Sequence, residues 1–266
     1  MNSFRDLRAL IIDMDGVLWR GEQPMPGLIE FFQALRTRDV HFVLATNNAS
    51  QTPEQYLAKL ARMGVNVMRD EIFTSAQATA LYLRQHTLNG AQVFAIGDEG
   101  VRQALAEQGF KLCGLYEVNA QYVVCGMDRS LSWDKLATAT LNIRAGATFV
   151  GTNPDTTLPT ERGITHGNGA ILAALETATG VAPVIVGKPE PVMYQQAMLR
   201  LGAEPATTVA LGDRLETDIL GAVRAGIRSI LVLSGIATRE QLAYFGYQPT
   251  WVMKDIKEVT AMLRRQ

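Results

Sequence analysis

Short, continuously apolar runs alternate along this chain with segments whose apolar residues recur every three or four positions. The runs are 9–12, 41–45, 93–96, 122–124, 147–150, 184–186, 208–211 and 229–233. Runs this short, rich in Val and Ile, fit strands buried on both faces of a parallel sheet. Between them lie helical patterns. Leu28, Phe31, Phe32 and Leu35 share one face. Thr52-Pro53-Glu54-Gln55 reads as a helix start, with Thr52 as N-cap, Pro53 in the first turn and Gln55 in the capping-box position. Its apolar face is predicted as Leu57, Leu60, Ala61 and Met63, ending at Gly64. Ile219, Ala222, Val223 and Ala225 precede Gly226 in the same way. The alternation predicts an α/β fold with mostly parallel sheets. Residues 91–150 hold three strands and at least two helices, enough for a second domain inserted into the first.

Composition narrows the function. The 266 residues are 47 % hydrophobic, enough for one large or two modest domains. Lys and Arg number 25 against 26 Asp and Glu, a formal charge of -1, so no basic excess exists to neutralise nucleic-acid phosphates. Two cysteines, Cys113 and Cys125, make no disulfide framework and read as small apolar fillers. His41, His86 and His166 share no ligand or triad spacing, and Trp19, Trp133 and Trp251 are scattered like packing residues. No apolar run approaches the ~20 residues of a membrane helix. The opening MNSFRDLRALIIDMDG reads as a first strand rather than a signal peptide. The expectation is a soluble, cytoplasmic protein with no nucleic-acid or membrane partner; a homodimer is left open.

The chemistry sits just past the strands. Asp13 and Asp15 leave the first run at spacing i, i+2, and Gly16 permits the turn that would bring both to a strand-end site. Alone, such a pair is as often a solvated acidic loop. Gly212-Asp213 and Asp218 follow the 208–211 run, Thr46-Asn47-Asn48 follows 41–45, and Gly187-Lys188-Pro189 follows 184–186. Like charges 4 Å apart repel by roughly 4 kcal/mol at an effective dielectric of about 20. Asp13, Asp15, Asp213 and Asp218 brought together therefore need a hard divalent cation and an ammonium. An all-oxygen set with few carboxylates suits Mg²⁺, which can take a phosphate oxygen as a further ligand. Thr46, the amides near Asn47, and Lys188 could hold the other phosphate oxygens, a toolkit for phosphoryl transfer.

DMDGV, the strand-end Thr of LATNNAS, GKP and GDRLETD, in that order, resemble the four motifs of the haloacid dehalogenase (HAD) superfamily. VGTNPD at 150–155 and GNGAI at 167–171 further resemble its p-nitrophenylphosphatase/NagD-like branch, subfamily IIA. The resemblance runs from about residue 9 to about residue 253. It implies a Rossmann-like core over 1–80 and 183–266, with an inserted α/β cap of the C2 type over 81–182. It also implies Asp13 as nucleophile and Asp15 as general acid, then base. Mg²⁺ would be held by Asp13, the Asp15 backbone carbonyl and Asp213, with Asp218 supporting through metal-bound water or Lys188. Thr46, Asn47 and Lys188 would bind the phosphoryl group. The second aspartate favours a phosphatase over a dehalogenase, because an alkoxide leaving group needs a proton and a halide does not. The implied substrates are small phosphorylated metabolites such as sugar phosphates or nucleoside monophosphates, with p-nitrophenyl phosphate as an artificial one.

Other readings compete. A phosphotransferase or phosphomutase would share the intermediate. A phospho-acceptor signalling module would place its Asp mid-chain in less than half this length, and a metabolite sensor would not need all four motifs intact. Asn153 and Asp155 either cap a turn, as Asn-Pro-Asp often does, or, on the resemblance, face the substrate. Gly97-Asp98-Glu99 and Gly126-Met127-Asp128 read as ordinary turns. Arg162 reads as a solvated cation rather than a contact to a substrate anion, and His166-Gly167-Asn168-Gly169, which opens a helix whose N-terminus could bind an anion, reads as a tight loop. No GxGxxG opens a helix after the first strand, so a dinucleotide site has no support.

Overall fold

The structure, a computed structural model, describes residues 4, 6–87, 89–160 and 163–265; Arg162 lies outside them. The chain forms two compact units. The first comprises Met1–Thr46, Tyr56–Phe73 and Lys188–Gln266, and the second Asn47–Gln55 and Thr74–Gly187. No helix among the described residues is long and apolar enough to cross a membrane.

The first unit is built on a six-stranded sheet. Its order is Trp251–Met253, Arg228–Val232, Thr208–Gly212, Ala9–Ile12, His41–Thr46 and Ile72–Thr74. Ala9–Ile12 is buried throughout and pairs in parallel on both sides, Ile12 standing opposite Leu211 and Leu44. Its lack of polar alternation follows from helices covering both faces. Leu28, Phe31, Phe32 and Leu35 of the helix Leu28–Thr37 fill one side, as their spacing predicts. That helix packs on Ile256–Arg264, whose N-terminus is capped by Asp255 accepting from the Lys257 and Glu258 N–H groups. Because the central strands run parallel, their carboxyl ends share one edge, and Asp13, Thr46 and Asp213 all fall there.

The second unit has its own parallel sheet, in the order Val184–Ile185, Thr148–Gly151, Tyr122–Cys125, Gln92–Ile96 and Lys111–Leu112. Phe94, Ile96, Val123, Phe149, Ile143 and Leu172 belong to its core. An antiparallel hairpin, Thr157–Thr160 with Gly163–His166, precedes the helix Asn168–Thr179.

Several details differ from expectation. The run at 184–186, assigned above to the first domain, is an edge strand of the second sheet. Val184 and Ile185 pair with Val150 and Gly151, and the chain re-enters the first unit at Lys188. The helix Ser75–His86, which a boundary at 80 divides, lies within the second unit. The capping box at Thr52 is present: Gln55 N–H donates to Thr52 Oγ1 at 3.3 Å, and Thr52 N–H to Gln55 Oε1 at 2.9 Å. Yet Ala61 is exposed on that helix, and Tyr56 and Leu60, four apart, are its fully buried large apolar residues. Val223, one position round from buried Ala222, is likewise exposed. Trp133 is no packing residue, for it is 80 % exposed at the first turn of the helix Trp133–Arg144.

Candidate active site

Asp13 is the first residue beyond the central strand, and its N–H still donates to Leu211 O at 2.8 Å. Asp213 follows the neighbouring strand directly. Asp218 returns to the same place through a wide π-type turn, Leu215–Ile219. Gly212 makes room for that return, because a Cβ there would collide with the Asp218 Cβ. One carboxylate oxygen from each of Asp13, Asp213 and Asp218 lies within 4.8 Å of the others. Three carboxylates this close repel one another strongly in a poorly hydrated site.

Lys188 answers part of that repulsion. Its Nζ donates to Asp13 Oδ1, to Asp218 Oδ1 at 2.7 Å and to Ala45 O at 3.1 Å. Burial opposes the charged ammonium, but Asp13 and Asp218 outweigh it and hold its pKa well above the ordinary lysine value. Burial pushes Asp13 the other way, well above the usual carboxylate range; Asp218 and Asp213 add to the rise and Lys188 works against it. Asp218 is fully engaged. Its Oδ2 accepts from the Arg214 N–H at 3.1 Å, and its backbone carbonyl accepts from Tyr194 Oη at 3.0 Å.

Asp213 is pushed up to about 7, chiefly by burial and then by Asp218. Its Oδ2 accepts from the Ile236 N–H at 2.8 Å, while its buried Oδ1 has no hydrogen-bond partner among the described residues. A buried carboxylate oxygen left unpaired costs free energy unless a cation meets it. The donor set is all oxygen and anionic, so these residues fit a hard divalent ion. Gly235 presses on Asp213 so closely that a Cβ would collide with its carboxylate. Ser234 Oγ, beside it, donates to Gly16 O at 2.8 Å.

Asp15 stands on a tight turn closed by Leu18 N–H to Met14 O and Gly16 N–H to Trp19 O, both 2.8 Å. Gly16 takes φ +84° there, a conformation that side-chain-bearing residues rarely adopt. The turn leads into a small hairpin, Trp19–Arg20 with Gln23–Pro24. Asp15 is exposed, and its Oδ1 accepts from Trp19 Nε1 at 2.7 Å. Thr46, buried, ends its strand beside the Ala45 carbonyl that receives Lys188.

The remaining predicted residues gather in the second unit. Asn47 Nδ2 donates to Asp155 Oδ1 at 3.1 Å. Asn153 Nδ2 and Ser75 Oγ both donate to Asn47 O at 2.7 Å, and Asp155 N–H donates to Asn153 Oδ1 at 3.1 Å. Asn168, read above as part of a tight loop, is buried at the first turn of its helix. Its Nδ2 donates to Asn153 O at 2.8 Å and Cys125 O at 3.1 Å. Asp98 and Asp128 are turn residues as predicted. Asp98 pairs with Arg129 at 2.8 Å, and Asp128 accepts from Lys135 at 2.7 Å and Ser130 at 2.8 Å. Sequence reasoning missed Trp19 as a partner of Asp15, Tyr194, Ser75 and the Ser234-Gly235-Ile236 segment. None carries a local pattern, and each acts through a contact that only the fold creates.

Two family models match this chain. One, described as haloacid dehalogenase-like hydrolase, covers residues 10–111, and a HAD-hydrolase-like one covers 185–259. The chain is 38 % identical to 5'-nucleotidase YutF of Bacillus subtilis over 94 % of its own length and 96 % of the relative's. It is 36 % identical to an acid sugar phosphatase of Staphylococcus aureus, over 98 % of this chain and 100 % of that one. Among solved structures it resembles a glycerol phosphate phosphatase of Mycobacterium tuberculosis in complex with magnesium. The TM-score is 0.90 and the identity 36 %, over 97 % of this chain and 78 % of that one. Motif order, strand-end geometry and these whole-length likenesses agree: the chain belongs to the haloacid dehalogenase-like hydrolases, on their phosphatase branch.

Proposed function

We propose that the protein is a magnesium-dependent phosphatase of small phosphate monoesters, working through an aspartyl-phosphate on Asp13. The observation that carries this reading is the meeting of the Asp13, Asp213 and Asp218 carboxylates, with Lys188 bonded to Asp13 and Asp218 and with Asp213 Oδ1 buried and unpaired among the described residues. Asp13, the Asp15 backbone carbonyl and Asp213 would hold the ion, which supplies charge neutralisation for the phosphoryl oxygens when bound.

The chain's own groups do the bond chemistry. The Asp13 carboxylate forms a bond to phosphorus as the ester P–O bond breaks. The Asp15 carboxyl gives its proton to the departing oxygen, so the alcohol leaves neutral. Asp15, now a carboxylate, then takes a proton from a water molecule as that water's oxygen bonds to phosphorus. The Asp13–phosphorus linkage breaks, and inorganic phosphate and the free Asp13 carboxylate result. Lys188, Thr46 and the backbone amides near Asn47 hold the phosphoryl oxygens, since backbone and ammonium donors match them without any change of charge during the step. Asp155 is the substrate-facing candidate of the second unit, where Asn153 also serves to hold the Asn47 carbonyl.

The relatives carry the names 5'-nucleotidase, acid sugar phosphatase and glycerol phosphate phosphatase. What those names share is a phosphate on a small alcohol, which supports sugar phosphates and nucleoside monophosphates as the substrate class and p-nitrophenyl phosphate as an artificial member. The test is phosphate release from such a panel with Mg²⁺ and with EDTA, beside Asp13→Asn. Release that needs Mg²⁺ and vanishes in the variant supports the reading. Undiminished release in EDTA, or in Asp13→Asn, overturns it, and transfer to an added alcohol without net phosphate would mark a phosphotransferase.

A further inference from the structure

Trp19 lies outside every motif discussed above, yet it is wholly buried and hydrogen-bonded to the exposed Asp15. Its indole Nε1 donates to Asp15 Oδ1 at 2.7 Å, a short bond in the range of charge-assisted ones. Its backbone carbonyl accepts from the Gly16 N–H at 2.8 Å, so the tryptophan grips the turn twice. The ring is fixed in turn. Tyr56 stacks on it with centroids 6.3 Å apart and planes 22° apart. Lys59 Nζ sits 4.6 Å from the ring centroid and 3.4 Å from Glu22 Oε1. A cation over the face draws on the ring's electron density and holds it in place. This is a large apparatus for orienting one exposed carboxylate.

We propose that Trp19 is a positioning residue that decides which oxygen of Asp15 carries the transferable proton. The inference rests on the acid–base role given to Asp15 under Proposed function. An indole N–H only donates. A proton on Oδ1 would face that donor, so whenever Asp15 is the acid its hydrogen must lie on Oδ2, and Oδ2 is the oxygen left to serve the leaving group. In the first step the Oδ2–H bond breaks and its proton joins the departing alkoxide oxygen. In the second, Oδ2 recovers a proton from water. Throughout, Oδ1 stays anchored, and the carboxyl cannot rotate its acidic edge away.

The prediction concerns leaving groups. Alcohols of high pKa need the proton and p-nitrophenolate needs it far less. The quantity to follow is kcat/KM, which reports the steps up to departure of the leaving group and not hydrolysis of the intermediate. Trp19→Phe removes the donor and keeps an aromatic ring. For alkyl phosphates such as glycerol phosphate, kcat/KM should fall by about 10–100-fold, less than the full worth of a general acid. For p-nitrophenyl phosphate it should change by less than about threefold, because little proton transfer is at stake there. Should the smaller ring unfold the protein, benzothienylalanine at position 19, which replaces N–H by sulfur at nearly constant shape, asks the same question.

Equal losses on both substrates, or none on alkyl phosphates, would overturn the proposal, since a purely structural tryptophan would not sort leaving groups. Asp15→Asn run in parallel separates the two ideas. If Asp15→Asn sorts leaving groups and the position-19 variants do not, the positioning role is wrong while the acid–base reading stands. If neither does, the acid–base reading itself is wrong.

Discussion

Lys188 Nζ donates to Asp218 Oδ1 at 2.7 Å with both side chains almost wholly out of solvent. The same ammonium bonds Asp13, so one cation serves two carboxylates, and Asp213 Oδ1 has no hydrogen-bond partner among the described residues. Removing one member of a buried ionic cluster typically costs about 3–5 kcal/mol, because the uncompensated charge stays behind. Lys188→Met should therefore lose that much unfolding free energy in EDTA, read by urea denaturation, and lose turnover as well. Magnesium should return more stability to this variant than to the parent, since the carboxylates have lost their other counter-charge. A variant as stable as the parent in EDTA would show that Lys188 does not offset the cluster.

The acid–base balance of Asp213 gives a second prediction. Its folded pKa is raised to about 7 from an ordinary 3.8, chiefly by burial. A carboxyl with a raised folded pKa binds its proton more tightly in the native state. Stability must then fall as pH rises between about 4 and 7, where the native state holds the proton that the unfolded chain has lost. Metal-free protein should melt at lower temperature at pH 7.5 than at pH 5, and Asp213→Asn should flatten that slope. Metal binding needs the carboxylate, so magnesium affinity should weaken as pH falls below 7. Thermal melts with and without Mg²⁺ across this range check both signs.

How far the sequence reveals this arrangement depends on the range of the interactions. Asp13 and Asp213 are legible because each is the first acid beyond a short apolar run, and parallel pairing places such ends on one edge. The strand at 184–186 is equally visible as a strand, but periodicity does not name its partner, and Val184 pairs with Val150 rather than with the first sheet. Tyr56 and Ala61 show a similar limit. Amphipathic spacing fixes a helix face to within one residue, and packing against Trp19 settles which residue is inside. Gly235 against Asp213 and Trp19 against Asp15 are products of the folded chain, and no residue type foretells them.

Gly235 supplies a third prediction. No positive φ is needed there, so alanine is acceptable to the backbone, but its Cβ would overlap the Asp213 carboxylate. The carboxylate must shift or rotate away from the bond it accepts from Ile236 N–H. Disturbing an outer contact of a metal ligand commonly costs about 10–100-fold in metal affinity or activity. Gly235→Ala should raise the magnesium concentration for half-maximal activity by that factor while its circular dichroism stays that of the parent. Gly246→Ala, where a Cβ would meet nothing within 4 Å, is the control and should be silent.

The last prediction concerns Asn168, which joins the polar framework of the second unit. Its amide nitrogen bonds the carbonyls of Asn153 and Cys125, and its carbonyl oxygen receives the Cys125 thiol at 3.5 Å. Buried carbonyls stripped of their donors cost about 1–3 kcal/mol each. Asn168→Ala therefore removes two donors at once and should destabilise the protein by about 2–5 kcal/mol, cavity included. Asn168→Asp discriminates between shape and donation. It keeps the volume, replaces the donating nitrogen by an acceptor, and sets a carboxylate against two carbonyl oxygens. Asn168→Asp should thus be at least as damaging as Asn168→Ala at pH 7, and should recover part of the loss at acid pH, where the protonated acid regains one donor. Urea titrations at pH 7 and pH 5 separate the cases. If the aspartate variant matched the parent at pH 7, the two carbonyl bonds would contribute nothing, and the conformation of Asn153 would have to be held by its bonds with Asn47, Thr152 and Asp155.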